Sequence, residues 1–201
     1  MIRLGVLLSG SGTNLQAIID AIAAGELDAQ VVLVLSSKPD AYGLKRAHDA
    51  GIPTIGLTRV VYHEQYAADQ LIAEEMTAAG ADYLVMAGYM RMVTGPILTA
   101  FPDRVINIHP ALLPSFPGAH GIADAFAAGV KVTGVTVHFA NARYDEGPII
   151  AQQAVEVCED DTLESLEERI HAVEHVLYPR TLQLVAQGRV SIDDTRRVRI
   201  A

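Results

Sequence analysis

Within the run Arg104–Gly118, RVINIHPALLPSFPG, an amide and an imidazole stand two positions apart, and both side chains can donate hydrogen bonds to a developing negative charge. Alternation along an extended chain places Val105, Asn107 and His109 on one face and Ile106 and Ile108 on the other, which sets the two polar residues about 6.5–7 Å apart at Cα. Pro110 restricts His109 to extended geometry and cannot continue a ladder, so the pair is expected at the carboxyl end of a strand. A third group, Asp145, follows in RYDEGP. Spacing alone leaves Asp145 a solvated turn residue and leaves His109 open to a purely structural role.

A second stretch with chemical potential is Ser9-Gly10-Ser11-Gly12-Thr13-Asn14, between an apolar run and an amphipathic one. Glycines allow close backbone approach, and a helix N-terminus offers free N–H groups to an anion. Leu15 stands where the dinucleotide fingerprint has its third glycine, and the Lys of a Walker A loop is absent, so a monophosphate suits the loop better than a dinucleotide or ATP. The alternative is a tight strand-to-helix turn in which Thr13 or Asn14 caps the helix. Further on, His171-Ala172-Val173-Glu174-His175 matches the inverted zincin pattern H-x-x-E-H, with both histidines on one helical face. The polar stripe of an amphipathic helix has the same appearance.

These groups need a frame to hold them. The runs IRLGVLL, QVVLVLS, IPTIGL, YLVMAG and VINIH alternate with helix-like stretches that begin near Asn14, Ala41, His63 and Thr94, the rhythm of βαβ units. Continuous apolar strands call for helices on both faces, hence a doubly wound α/β fold with a mostly parallel sheet. After a helical GIADAFAAG, the segments TGVTVHFA and PIIAQQAVEV read as two longer strands, an antiparallel extension. A long helix is expected from about Thr162, with Pro179 as its kink or break point. His138 faces either the site or the packing, and Cys158 reads as a strand residue. In such sheets ligands bind at strand carboxyl ends where the strand order switches.

Composition narrows the functional classes. The chain has 201 residues, 50% of them apolar, and a formal charge of −9, which suits one domain with a substantial core and sets general repulsion against nucleic acid. Its single cysteine excludes an internal disulfide and a cysteine metal cluster and fits a reducing compartment. The run Ile2–Leu8 is too short for a secretory core and no apolar stretch is long enough for a bilayer, so a cytoplasmic protein without membrane partners is expected.

SGSGTNLQAII, AGYMRMV, NIHPALLPSFPGAH and YDEGPIIAQ, in this order and separation, resemble the folate-dependent formyltransferases, and among them the phosphoribosylglycinamide formyltransferases, from at least Leu4 to Gly188. The resemblance implies a single formyltransferase domain over 1–201 with a Rossmann-like fold. It implies an enzyme that moves the formyl group of 10-formyltetrahydrofolate to the amine of glycinamide ribonucleotide in purine synthesis, with no metal. Gly12, Thr13 and Asn14 would then hold the ribose phosphate and Glu174 the ribose hydroxyls. Met90, Arg91, Met92 and Val93, with Asn107, would line the folate site. Asn107, His109 and Asp145 would be the catalytic set. The implied partners are the two small substrates, the protein being a monomer or a homodimer. His63 stands where some relatives carry an Arg toward the folate glutamate tail. The competing readings are a hydrolase that passes the formyl group to water, a formyltransferase for another amine such as methionyl-tRNA, a silent phosphometabolite sensor, and a zinc metallopeptidase built on His171, Glu174 and His175.

Overall fold

In the first strand, β1 (Ile2–Leu8), Leu4, Val6 and Leu8 pack into one apolar cluster and Leu7 into another, so the strand must be covered on both sides. The computed structural model describes residues 1–58 and 63–201 and meets that requirement. The elements that follow are α1 (Thr13–Ala23), β2 (Ala29–Ser36), α2 (Tyr42–Asp49), β3 (Thr54–Gly56), α3 (Gln65–Ala78), β4 (Tyr83–Met86), α4 (Gly95–Ala100) and β5 (Val105–His109). After them come α5 (Gly121–Ala127), β6 (Val132–Phe139), β7 (Ile149–Glu156), α6 (Leu163–Ala186) and a hairpin of β8 (Val190–Ile192) and β9 (Val198–Ile200).

The main sheet has the order β3-β2-β1-β4-β5-β6-β7. The first five strands in that order are parallel neighbours, and β6 and β7 are added antiparallel, as the sequence suggests. The chain winds outward from β1 to β3 and then returns to lay β4 against the other side of β1. The strand order therefore reverses between β1 and β4, and the crevice of such a fold opens at their carboxyl ends.

One face is covered by Leu15 and Ile18 of α1 and by Leu166, Ile170, Leu177 and Tyr178 of α6. The other is covered by Ala68, Ile72 and Met76 of α3 and Ile97 of α4. Contact there is close: a Cβ on Gly5 would lie 2.4 Å from Met76 Sδ. The alternation predicted for β5 holds, with Val105 in one cluster and Ile106 and Ile108 in the other.

Two expectations are corrected. The helix α6 does not break at Pro179 but runs through it to Ala186. Tyr178, Leu182 and Val185 are buried on either side, and the Tyr178 hydroxyl reaches the carbonyls of Met86 (3.2 Å) and Ile106 (2.9 Å), so tertiary packing carries the helix past the missing N–H. Its start is set by a reciprocal capping box between Thr162 and Ser165. Cys158 lies just after β7 rather than within it, its thiol sulfur 3.4 Å from Arg169 Nη1. No helix among the described residues is long and apolar enough to cross a membrane.

Candidate active site

The loop leaving β1 is locked to its neighbours through the main chain. Ser9 N–H donates to Gly88 O (3.0 Å), Gly43 N–H donates to Gly10 O (3.0 Å), and the Ser9 hydroxyl accepts from Met90 N–H (3.0 Å) and Ser37 Oγ (2.7 Å). Gly12 has φ 73°, and a Cβ there would lie 2.6 Å from Gly43 Cα, so both the turn and the approach of α2 require glycine.

Gly12 is the N-cap of α1 and no side chain caps that helix, which removes the reading of Thr13 or Asn14 as a cap. The helix N–H groups are left facing a cavity. Asn14 instead turns inward and donates Nδ2 to Glu174 Oε2 at 3.1 Å, while Asn14 Oδ1 is buried without a partner among the described residues. Glu174, 4% exposed, also accepts from His171 Nδ1 at 2.9 Å. That hydrogen bond raises the His171 imidazole above its ordinary pKa, outweighing the burial that lowers it. An anion-ready helix end thus sits beside a buried amide and carboxylate, groups suited to a phosphate and neighbouring hydroxyls respectively.

Asn107 and His109 converge on Asp145. The Asp145 Oδ2 lies 3.5 Å from His109 Nδ1 and accepts from Gly118 N–H at 2.8 Å, and its Oδ1 lies 3.5 Å from Asn107 Nδ2 and 3.6 Å from His138 Nε2. The side chain is only 6% exposed, so Asp145 is not the solvated turn residue that its RYDEGP setting suggests. Its backbone is left-handed, φ 55°, which swings the carboxylate back toward β5. Burial pushes the Asp145 carboxyl up, but its contacts with His138, Gly118 and His109 outweigh burial and leave it below the ordinary carboxylate value.

Three participants were not legible from sequence spacing. His138 pairs with Asn107 across the antiparallel β5–β6 register, a relation that no local pattern encodes. The Phe116 carbonyl accepts from His109 Nε2 at 2.7 Å. His171 joins Glu174, although the zincin pattern drew attention to it for another reason.

Two cavities meet at this cluster. The larger, about 370 Å³, is lined by Ser9–Asn14, Met90, His109, His171 and Glu174. The smaller is walled by Tyr89, Arg91, Met92 and Val93 on one side and Ala140 and Asn141 on the other. Asn107 and Asp145 line both. The expected folate residues therefore divide, Met90 facing the larger cavity and Arg91, Met92 and Val93 the smaller. The metallopeptidase reading loses its geometry: His171 opens on the larger cavity, whereas His175 lines a separate groove between α1 and α6, and its burial lowers its pKa. Among the described residues no three His, Cys, Asp or Glu side chains are placed to hold a metal ion.

The formyl transferase family model matches residues 2–182. The chain is 40% identical over 183 residues to the phosphoribosylglycinamide formyltransferase of Bacillus subtilis, covering 91% of this chain and 94% of that protein. It is 42% identical over 196 residues to the trifunctional purine biosynthetic protein adenosine-3 of Bos taurus, covering 98% of this chain but only 19% of that much longer protein. The crystal structure of glycinamide ribonucleotide transformylase 1 from Symbiobacterium toebii superposes with a TM-score of 0.96 at 52% identity, covering 100% of this chain and 94% of that one.

Proposed function

This chain belongs to the formyl transferase family, and on that premise we propose that it transfers the formyl group of 10-formyltetrahydrofolate to the amine of N1-(5-phospho-β-D-ribosyl)glycinamide, a step of purine synthesis. The observation that carries this reading is the position of Asn107 and Asp145 on both cavities, where two bound substrates would meet. The larger cavity supplies a phosphate seat at Gly12–Asn14 and a hydroxyl-binding carboxylate at Glu174. The smaller, about 40 Å³ and lined by Arg91, Met92 and Val93, is the folate side by the family resemblance and has to widen to admit a heterocycle.

Bond making follows from the donors. As the ribonucleotide's amine nitrogen adds to the formyl carbon, negative charge gathers on the formyl oxygen, and the Asn107 amide and the His109 imidazole stabilise it by donating hydrogen bonds. One preorganised donor of this kind contributes about 3 kcal/mol to the transition state. The bond from the formyl carbon to N10 then breaks, and the proton lost from the amine ends on N10. Asp145, ionised beside His109 Nδ1, assists that proton transfer. His109 gives its Nε2–H to Phe116 O, so the imidazole reaches the formyl oxygen by exchanging that carbonyl for it. Phe116 has φ 54°, a left-handed backbone that costs a non-glycine residue about 1–3 kcal/mol.

The phosphate seat argues against a hydrolase, since water needs none. An acidic net charge argues against a tRNA substrate. A cytoplasmic location belongs to the same proposal, since both substrates are small soluble metabolites. The deciding experiment follows consumption of 10-formyltetrahydrofolate with and without glycinamide ribonucleotide. Loss that requires the ribonucleotide and yields its formylated product is expected; equal loss without it would make the protein a hydrolase, and binding without loss would make it a sensor.

A further inference from the structure

We propose that His138 is a positioning residue that fixes the direction of the Asn107 carboxamide; this deepens the catalytic reading above and rests on it. His138 is 1% exposed and lies directly opposite Asn107 in the β5–β6 ladder. His138 Nδ1 lies 3.1 Å from the carbonyl oxygen of Phe139. A carbonyl only accepts, so Nδ1 carries the ring proton and Nε2 presents its lone pair.

That lone pair selects the orientation of the amide. Asn107 Nδ2 lies 3.1 Å from His138 Nε2, so one amide N–H is donated to the ring. A reversed amide would set Oδ1 against the lone pair, two acceptors face to face. Asp145 Oδ1 lies farther from His138 Nε2, at 3.6 Å, so in the neutral ring it is the amide N–H, at 3.1 Å, that meets the lone pair. The remaining Asn107 N–H is 3.5 Å from Asp145 Oδ1, at the limit of bonding, and is the one free to be given to a substrate oxygen.

The Phe139 carbonyl that sets the tautomer is itself fixed. Phe139 N–H donates to Pro148 O at 2.9 Å, and a Cβ on Gly147 would lie 1.6 Å from Phe139 O, so glycine alone lets the chain pass there. His138 itself lines the smaller cavity and not the larger one that carries the Gly12–Asn14 loop, so the expected signature falls on turnover rather than on ribonucleotide binding.

The test is a double-mutant cycle on kcat for formyl transfer, with His138→Phe and Asn107→Ala singly and together. His138→Phe keeps the ring volume and removes the lone pair; it is expected to lower kcat about tenfold to a hundredfold with both KM values within about threefold. In the Asn107→Ala background the same change is expected to cost nothing further. His138→Gln, whose Oε1 can accept the amide N–H, is expected to recover part of kcat, and it replaces the Phe variant in the cycle should that variant not fold. An equal fold-loss in both backgrounds, as for a merely packed histidine, would overturn the proposal. A wild-type kcat for Asn107→Ala would instead remove the catalytic reading, and the proposal with it.

Discussion

Asp145 Oδ2 stands 3.5 Å from His109 Nδ1, although the two residues lie on different elements and Asp145 reaches the contact only through a left-handed backbone. The distance fits a charge interaction rather than a short hydrogen bond, and the same oxygen is held from the other side by Gly118 N–H. The loops after β5 and after β6 are thereby joined at one carboxylate.

Because the Asp145 carboxyl is lowered in the folded protein, it contributes stability that is present above the unfolded value of about 4 and lost as pH falls through the folded value. The stability advantage of the native protein over Asp145→Asn, read from urea denaturation, should therefore be largest above about pH 5 and shrink below about pH 4. A difference that grows on acidification would contradict this assignment.

Gly12→Ala should harm both fold and seat. The φ of 73° costs an L-residue about 1–2 kcal/mol, and the new methyl would meet the Gly43 backbone. Denaturation should show at least that loss, and steady-state kinetics should show a larger rise in KM for the ribonucleotide than fall in kcat. An unchanged unfolding midpoint would mean that the turn tolerates a side chain.

Tyr178→Phe tests the packing that carries α6 through Pro179. Removing a fully buried hydroxyl that reaches the carbonyls of Met86 and Ile106 should cost about 1–2 kcal/mol with an unchanged denaturant m-value. A neutral substitution would assign the continuity of the helix to apolar packing alone.

Much of the frame was legible because hydrophobic periodicity and β-branched runs are local signals: the parallel strands, the antiparallel extension and the shared face of Asn107 and His109 all follow from them. The tight turn after β1 was legible because glycine spacing reflects a backbone demand. Asp145 was legible only through the family resemblance, since its burial depends on a positive φ and on a loop folding back over β5. His138 was left open between site and packing because antiparallel register is set by tertiary packing, so no pattern within TVHF tells which residue it faces. The break offered at Pro179 failed for the same reason in reverse: a local rule for ending helices was overridden by buried neighbours on the same turn.

The central claim is that Asp145 acts in the chemical step and not in holding substrates. The most direct measurement is kcat for Asp145→Asn beside the dissociation constants of both substrates for the same variant. A fall in kcat of about 10²–10⁴ with both dissociation constants within a few-fold of the native protein is predicted. A kcat within about twofold of the native protein would leave the carboxylate without a role in transfer.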